Sequence, residues 1–180
     1  MDWTLLHPKL VHLPVALAVI MPLLTGGLLL AWWRGWLPKR AWLIGVLFQA
    51  ALVGSGVAAM QTGEIDEDVV ERVVADKYID AHEDAAEVFV WAAAGVLLLS
   101  LGAAVVKPRP LSLGLAGATV AGALIVLGLG FQVGQSGGAL VYEHGAPNAF
   151  IDGARARDTP PRLGDARRSA PGGAHEHDDD

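Results

Sequence analysis

The sequence predicts an all-α membrane protein, an antiparallel bundle of four transmembrane helices. Hydrophobic residues make up 53% of the 180 residues and charged residues only 18%, a composition too apolar for an ordinary soluble domain. Four windows reach about the 20 residues that a helix needs to cross the hydrocarbon core, and none contains Lys, Arg, Asp or Glu. These windows are Leu10–Trp33, Ala41–Met60, Val88–Val106 and Leu111–Gln135. We therefore predict a membrane domain over residues 1–147, with helices at about 10–33, 41–60, 82–106 and 111–136.

The first helix opens with the stretch His7-Pro8-Lys9-Leu10-Val11-His12-Leu13-Pro14. Two histidines five residues apart on a helix are turned by about 140° and separated by about 7.5 Å along its axis, so both cannot face one neighbouring helix. Ionisable residues at the edge of a membrane span are candidate functional groups. We expect His12 to lie deeper, where an imidazole needs a partner. For His7 both a solvated position and a ligand role stay open.

An amphipathic pattern precedes the third membrane window. Apolar side chains recur at steps of three and four residues from Val70 to Phe89, and acidic residues occupy the other faces. The pattern predicts an extra amphipathic helix over 65–81 that leads into the third membrane helix. His82 falls on the apolar stripe, so we predict that it points into the bundle.

The fourth helix is rich in glycine and includes Gly130, Gly134 and Gly138 at steps of four. Small residues at this spacing let a neighbouring backbone or a flat ligand approach closely, and tight helix packing is the simpler use. His144 follows in a glycine-flanked segment, where it is either a ligand or a plain loop residue. From 148 to 180 the composition collapses into Arg, Asp, Gly, Pro and Ala, which predicts a disordered extracytoplasmic tail.

The charges predict how the chain crosses the membrane. The connections 34–40 and 107–110 contain Arg and Lys but no acidic residue, whereas the segment from Glu64 to Glu87 contains ten acidic and two basic residues. Basic loops stay in the cytoplasm, so we predict a multi-pass membrane protein with both termini extracytoplasmic. Every histidine outside the tail then lies at the outer face: His7, His12, His82 and His144.

Four imidazoles at one depth match the ligand number of two bis-histidine haems, or of one haem with two supporting groups. They would equally serve one or two non-haem metal ions together with nearby carboxylates. Those carboxylates are Asp66, Glu83, Asp84 and Glu87, for which a solvated surface is the alternative role. Further candidate supporting donors are Gln61, Thr62, Gln132, Gln135 and Ser136. The absence of cysteine excludes disulfides, thiolate metal sites and covalent c-type haem attachment.

Several short motifs within residues 7–145 resemble the bacterial membrane proteins of domain-of-unknown-function family 2231. The family pattern His-Pro-x-x-Val-His-Phe-Pro is matched from His7 to Pro14, with leucine at the Phe position, and Thr-Gly-x-x-Asp is matched from Thr62 to Asp66. A histidine before the third helix corresponds to His82, and Gly-Gly-x-Leu-Val-Tyr-x-His-Gly is matched over 137–145. The chain departs from the family at 146–147, where Ala-Pro replaces Gly-Val. Because some relatives are joined to or encoded near c-type cytochromes, the resemblance implies a redox setting. It also implies a location in the bacterial inner membrane.

These observations lead to one functional hypothesis. The protein would bind one or two b-type haems and transfer electrons at the outer face, between the quinone pool and an extracytoplasmic redox partner such as a cytochrome. Depth along the helices favours pairing His12 with His82, and His7 with His144. An electron carrier or subunit is expected rather than a stand-alone enzyme, because the chain has no nucleophile or acid–base constellation.

Two alternatives stay open. One is a non-haem Zn, Cu or Fe protein, and the other is a structural membrane subunit whose histidines only hydrogen-bond and cap helix ends. Neither interpretation involves nucleic acid, since the sequence carries no nucleic-acid-binding signature.

Overall fold

The computed structural model describes residues 7–151. Its regular elements over that range are all helical, which confirms the predicted fold class. They are α1 (His7–Leu10), α2 (His12–Trp33), α3 (Trp42–Val70), α4 (Asp76–Val105) and α5 (Arg109–Tyr142), with a 3-10 turn over Lys39–Ala41. Helical backbone over 147–151 occupies the start of the predicted tail, and the rest of that tail lies outside the described residues.

Four segments are long and apolar enough to cross a membrane: His7–Trp33, Lys39–Val70, Asp76–Val105 and Arg109–Tyr142. Consecutive long helices pack together and α5 returns to pack on α2, so the four form a closed up-and-down bundle. We call the end with the starts of α2 and α4 the histidine end. The opposite end, which holds the connections 34–41 and 106–108, is the basic end.

The first span is one rod with a local break at Val11 between α1 and α2. Pro14 has no N–H, so the carbonyl of Leu10 loses its usual helical donor. Bonds on either side bridge the break, because the N–H of Val11 donates to the carbonyl of His7 and the N–H of Val15 to that of Val11. The break thus sits between the two histidines of this stretch.

The prediction of a separate amphipathic helix over 65–81 is wrong. Helix α3 continues to Val70 and α4 begins at Asp76, so the predicted segment is divided between two long helices. The N–H groups of Val73 and Val74 both donate to the carbonyl of Val70, and Ala75 is extended, which turns the chain. The apolar residues of this segment pack elsewhere than on a separate helix. Val74 lies in a small buried cluster with Ile79 and Ala146 over the histidine end.

Glycines of α5 form the closest contacts with α4. A Cβ atom added at Gly122 would lie 2.6 Å from a methyl of Val96, and the corresponding distances are short at two other glycines. The three pairs are Val96 on Gly122, Phe89 on Gly130 and His82 on Gly137. We call these three glycines the glycine ladder. The α4 partners are seven residues apart, so His82 is the last layer of a continuous packing stripe. The predicted use of glycine for tight packing is confirmed here, whereas Gly134 and Gly138 face open space.

Buried side-chain donors join α3 to α4. The Nε1–H of Trp42 donates to the carbonyl of Ser100 at 3.0 Å, and the Nε2–H of Gln49 donates to the carbonyl of Ala93 at 3.0 Å. The donors are seven residues apart on α3, and so are the acceptors on antiparallel α4. These bonds fix the register of the two helices, because a shift by one residue would leave a buried donor unpaired.

Basic side chains close the opposite end. Lys39 donates to the carbonyl of Val106 just after α4, and Arg109 donates to the carbonyl of Trp33 at the last residue of α2. The final carbonyls of a helix have no intrahelical donor and carry partial negative charge, so both contacts are stabilising. Two residues of the predicted cytoplasmic charge cluster therefore also hold helix ends.

Candidate functional site

His7 is held by the face of α3 that carries the Thr-Gly-x-x-Asp motif. Its Nδ1 lies 2.8 Å from the carbonyl oxygen of Ala59 and 3.4 Å from Oγ1 of Thr62. A carbonyl can only accept, so Nδ1 carries the proton. The ring also covers Gly63, where an added Cβ would lie 3.4 Å from two of its atoms. The His7 ring therefore packs directly on Gly63. This glycine lies inside α3, a helix that the sequence predicted to end at about residue 60.

His82 is held in the same manner by α5. Its Nδ1 lies 2.9 Å from Oγ of Ser136, whose hydroxyl donates to the carbonyl of Val133. The hydroxyl oxygen is thus the acceptor, and Nδ1 of His82 carries the proton. The ring packs directly on Gly137, where an added Cβ would lie 3.0 Å from it. The prediction that His82 points into the bundle is confirmed.

Both histidines are therefore oriented in the same way. Each ring packs on a glycine, and each Nδ1–H donates to an acceptor on a neighbouring helix. In a neutral imidazole this leaves the lone pair on Nε2, the arrangement usual for histidines that bind metals. Both imidazoles lie at the histidine end of the bundle, His7 at the start of the first span and His82 near the start of α4. His7 and His82 consequently form a pair of pre-oriented nitrogen donors at the histidine end.

The other two histidines differ. His12 is exposed, so the expectation that it is buried with a partner inside the bundle is wrong. The five-residue spacing explains this, because it turns His12 away from the α3 face that His7 contacts. His144 is partly buried and stacks on Tyr78 with 3.8 Å between ring centroids and 19° between planes. All four histidines share one end of the bundle, and within residues 7–151 only His7 and His82 are held through Nδ1 by a neighbouring helix.

The carboxylates near this end occupy different positions. Over residues 7–151 no group of three or more His, Asp or Glu side chains is arranged to hold a metal ion. Asp66 is buried at 7% exposure, on the α3 face of Thr62 and Gly63. Glu87 is exposed and accepts a hydrogen bond from Trp91 at 3.1 Å, and Asp84 is exposed.

The remaining acidic residues form a negatively charged surface at the turn between α3 and α4. Desolvation and the negative charge of Glu67 and Asp76 raise the pKa of the Glu71 carboxyl. Like charges this close favour a positively charged partner. The solvated-surface interpretation of most of these carboxylates therefore fits the structure.

Sequence reasoning missed one group at the site and found two others. Thr62 and Ser136 were among the candidate supporting donors, and each lies within hydrogen-bonding distance of a histidine. The carbonyl of Ala59 was missed, because a backbone acceptor leaves no signal in residue type. The two glycines under the imidazole rings, Gly63 and Gly137, lie in the motifs that resemble the family pattern.

The fold defines a class, a multi-pass helical membrane protein, and four of its histidines lie at one end of the bundle. Comparison with protein-family models, curated proteins and solved structures returned no match to this chain. The resemblance to family 2231 accordingly stays a prediction that rests on the quoted motifs.

Proposed function

We propose that this chain is a b-type haem protein of the bacterial inner membrane and carries electrons near the extracytoplasmic surface. The observation that carries the proposal is the pair His7 and His82, each with Nδ1 within hydrogen-bonding distance of an acceptor on another helix. In this tautomer Nε2 has the lone pair that a haem iron would bind. Iron with two histidine ligands has no open position, so such a haem exchanges electrons rather than binding substrate. The proposal concerns one haem between these two residues.

The orientation of the two rings supports this proposal. A haem ligand must present its Nε2 lone pair in a fixed direction, and the bonds from Nδ1 to Ala59 and Ser136 restrict the rotation of both rings. Each ring is also supported from below by a glycine of another helix. His12 and His144 are left out of the proposed ligand set, because one is exposed and the other is stacked on Tyr78.

The orientation belongs to the same proposal. The basic end contains Arg34, Arg40 and Lys107 as exposed cations, which favours the cytoplasmic side. The histidine end then lies outside, where its acidic surface would dock a basic redox protein such as a cytochrome.

An absorption spectrum tests the haem. Protein produced with ample haem is expected to show a Soret band and, after reduction, an α-band. His7→Asn and His82→Asn are expected to abolish both bands. Asparagine places an N–H about where Nδ1 lies, so the bond to Ala59 or Ser136 is retained while Nε2 is removed. His12→Asn and His144→Asn are the matched controls and should keep the wild-type spectrum.

Two results would contradict the proposal. Wild-type protein without a Soret band is one, and stoichiometric zinc or copper in such a preparation would instead favour the non-haem alternative. The other is an unchanged spectrum in both His7→Asn and His82→Asn. Thermal unfolding of each variant in detergent shows whether a lost band reflects a lost ligand or a lost fold.

Cysteine labelling tests the orientation. The chain contains no cysteine, so one introduced cysteine is the only reactive thiol. In intact spheroplasts a membrane-impermeant maleimide is expected to label Ala75→Cys at the histidine end. Leu37→Cys at the basic end should be labelled only after the membrane is opened. The reverse pattern, or labelling of both in intact spheroplasts, would refute the proposed sidedness.

A further inference from the structure

A groove between α4 and α5 lies beside the His82 layer. It has a volume of about 310 Å³ and is lined by Ala81, Asp84, Ala85, Val88, Leu129 and Gln132. We call it the α4–α5 groove. Two of its lining residues, Ala81 and Ala85, flank His82 on α4, and Gln132 lies one helical turn before Ser136 on α5. The groove is therefore next to the proposed haem ligand but opens on the outer surface of the bundle.

The groove has a polar end and an apolar end. Asp84 and Gln132 lie toward the histidine end, while Val88 and Leu129 lie toward the middle of the bundle. Alanines at 81 and 85 leave the space between the helices open. Asp84 and Gln132 are both exposed, and neither forms a hydrogen bond with another part of residues 7–151. A ligand that donates a hydrogen bond to the Asp84 carboxylate and accepts one from the Gln132 amide would be held at this end of the groove.

We propose that the α4–α5 groove binds the headgroup of a membrane quinol. A quinol carries phenolic O–H donors for the Asp84 carboxylate and oxygen acceptors for the Gln132 amide. Its isoprenoid tail is apolar, as are Val88 and Leu129. The volume lies at the lower limit of small-molecule sites, about 300 Å³, which suits a single substituted ring.

Charge decides between a quinol and an anionic phospholipid. The α4 surface around the polar end also carries Asp80, Glu83 and Glu87. These negative charges repel a phosphate headgroup but do not oppose a neutral quinol. The choice of a quinol rests on the proposed electron-transfer function, whereas its binding requires only the residues of the groove.

Titration calorimetry tests this site. Decylubiquinol, kept reduced under nitrogen, is titrated into protein in phosphatidylcholine nanodiscs, and the heat from empty nanodiscs is subtracted. Saturable binding at one quinol per chain is expected. Asp84→Asn and Gln132→Leu should each weaken binding, about tenfold for the loss of a hydrogen bond to a charged group at Asp84. The matched controls are Asp80→Asn on α4 and Gln135→Leu on α5, both at exposed positions outside the groove, and they should bind as the wild type does.

Absence of saturable binding, or equal binding by Asp84→Asn, Gln132→Leu and the wild type, would overturn the inference. Loss of quinol binding when phosphatidylethanolamine replaces phosphatidylcholine would also overturn it, because the groove would then hold a lipid ammonium group. The calorimetric result does not depend on haem. Binding without a Soret band would refute the haem proposal alone, and a Soret band without binding would refute the quinol site alone.

Discussion

Replacement of Trp42 by alanine is expected to destabilise the protein by about 3–5 kcal/mol, the usual cost of deleting a buried tryptophan side chain. Trp42 is only 1% exposed and packs against Trp32 with 6.1 Å between ring centroids. It also donates to the carbonyl of Ser100, so the alanine variant loses apolar contacts and the link between α3 and α4 together. Thermal or denaturant unfolding in detergent measures the loss.

Two variants separate these contributions. Trp42→Phe keeps most of the apolar volume but removes the donor, and should cost about 1 kcal/mol for the hydrogen bond plus the volume difference. Trp36→Ala is the matched control at the same end of the bundle, because Trp36 is 69% exposed. A Trp42→Ala variant as stable as Trp36→Ala would contradict the packing of the basic end described above.

Replacement of Gly122 by alanine is expected to cost about 1–3 kcal/mol, the usual penalty for an overpacked core. The new Cβ would lie 2.6 Å from Cγ2 of Val96, which is well inside van der Waals contact. Valine is branched at Cβ and has one strongly preferred rotamer in a helix, so Cγ2 cannot swing aside. Helices α4 and α5 must move apart instead, and the contact between them along the glycine ladder would loosen.

A double-mutant cycle identifies the cause of that loss. Val96→Ala removes the clashing methyl groups, so Gly122→Ala should cost less in this background than in the wild type. A coupling of about 0.5–3 kcal/mol is expected for residues in contact. Gly128→Ala is the matched control on α5, because nothing lies within 4 Å of its added Cβ. Equal losses for Gly122→Ala and Gly128→Ala, or no coupling with Val96→Ala, would disprove the close approach at this layer.

Hydropathy alone located the four spans, but not where the helices end. The third apolar window begins at Val88 and the fourth ends at Gln135, yet α4 begins at Asp76 and α5 continues to Tyr142. Polar and acidic residues are compatible with helix beyond a membrane span, so composition does not mark the end of a helix. The repeat around Val70 and Val74 was assigned to its own helix because a tight turn without Pro or Gly has no sequence signal.

For the site, the sequence identified the important residue types but not which of them act together. His82 was placed correctly because helical periodicity reports which face of a helix is apolar. His12 was misplaced because its apolar sequence neighbours suggested burial, although helix rotation turns the side chain away from α3. The partnership of His7 with Ala59 and Gly63 spans more than fifty residues, and local patterns carry no information over that distance.

By itself, the amino-acid sequence determined the class of this protein, four apolar helices with basic connections at one end and the four histidines of residues 7–151 at the other. These properties follow from composition and from chain reversal at each turn, which require no knowledge of how the helices pack. Only the tertiary structure decided that His7 and His82 are held alike while His12 faces outward and His144 stacks on an aromatic ring. That decision depends on the rotation and register of each helix, which are set by side chains that meet across the bundle.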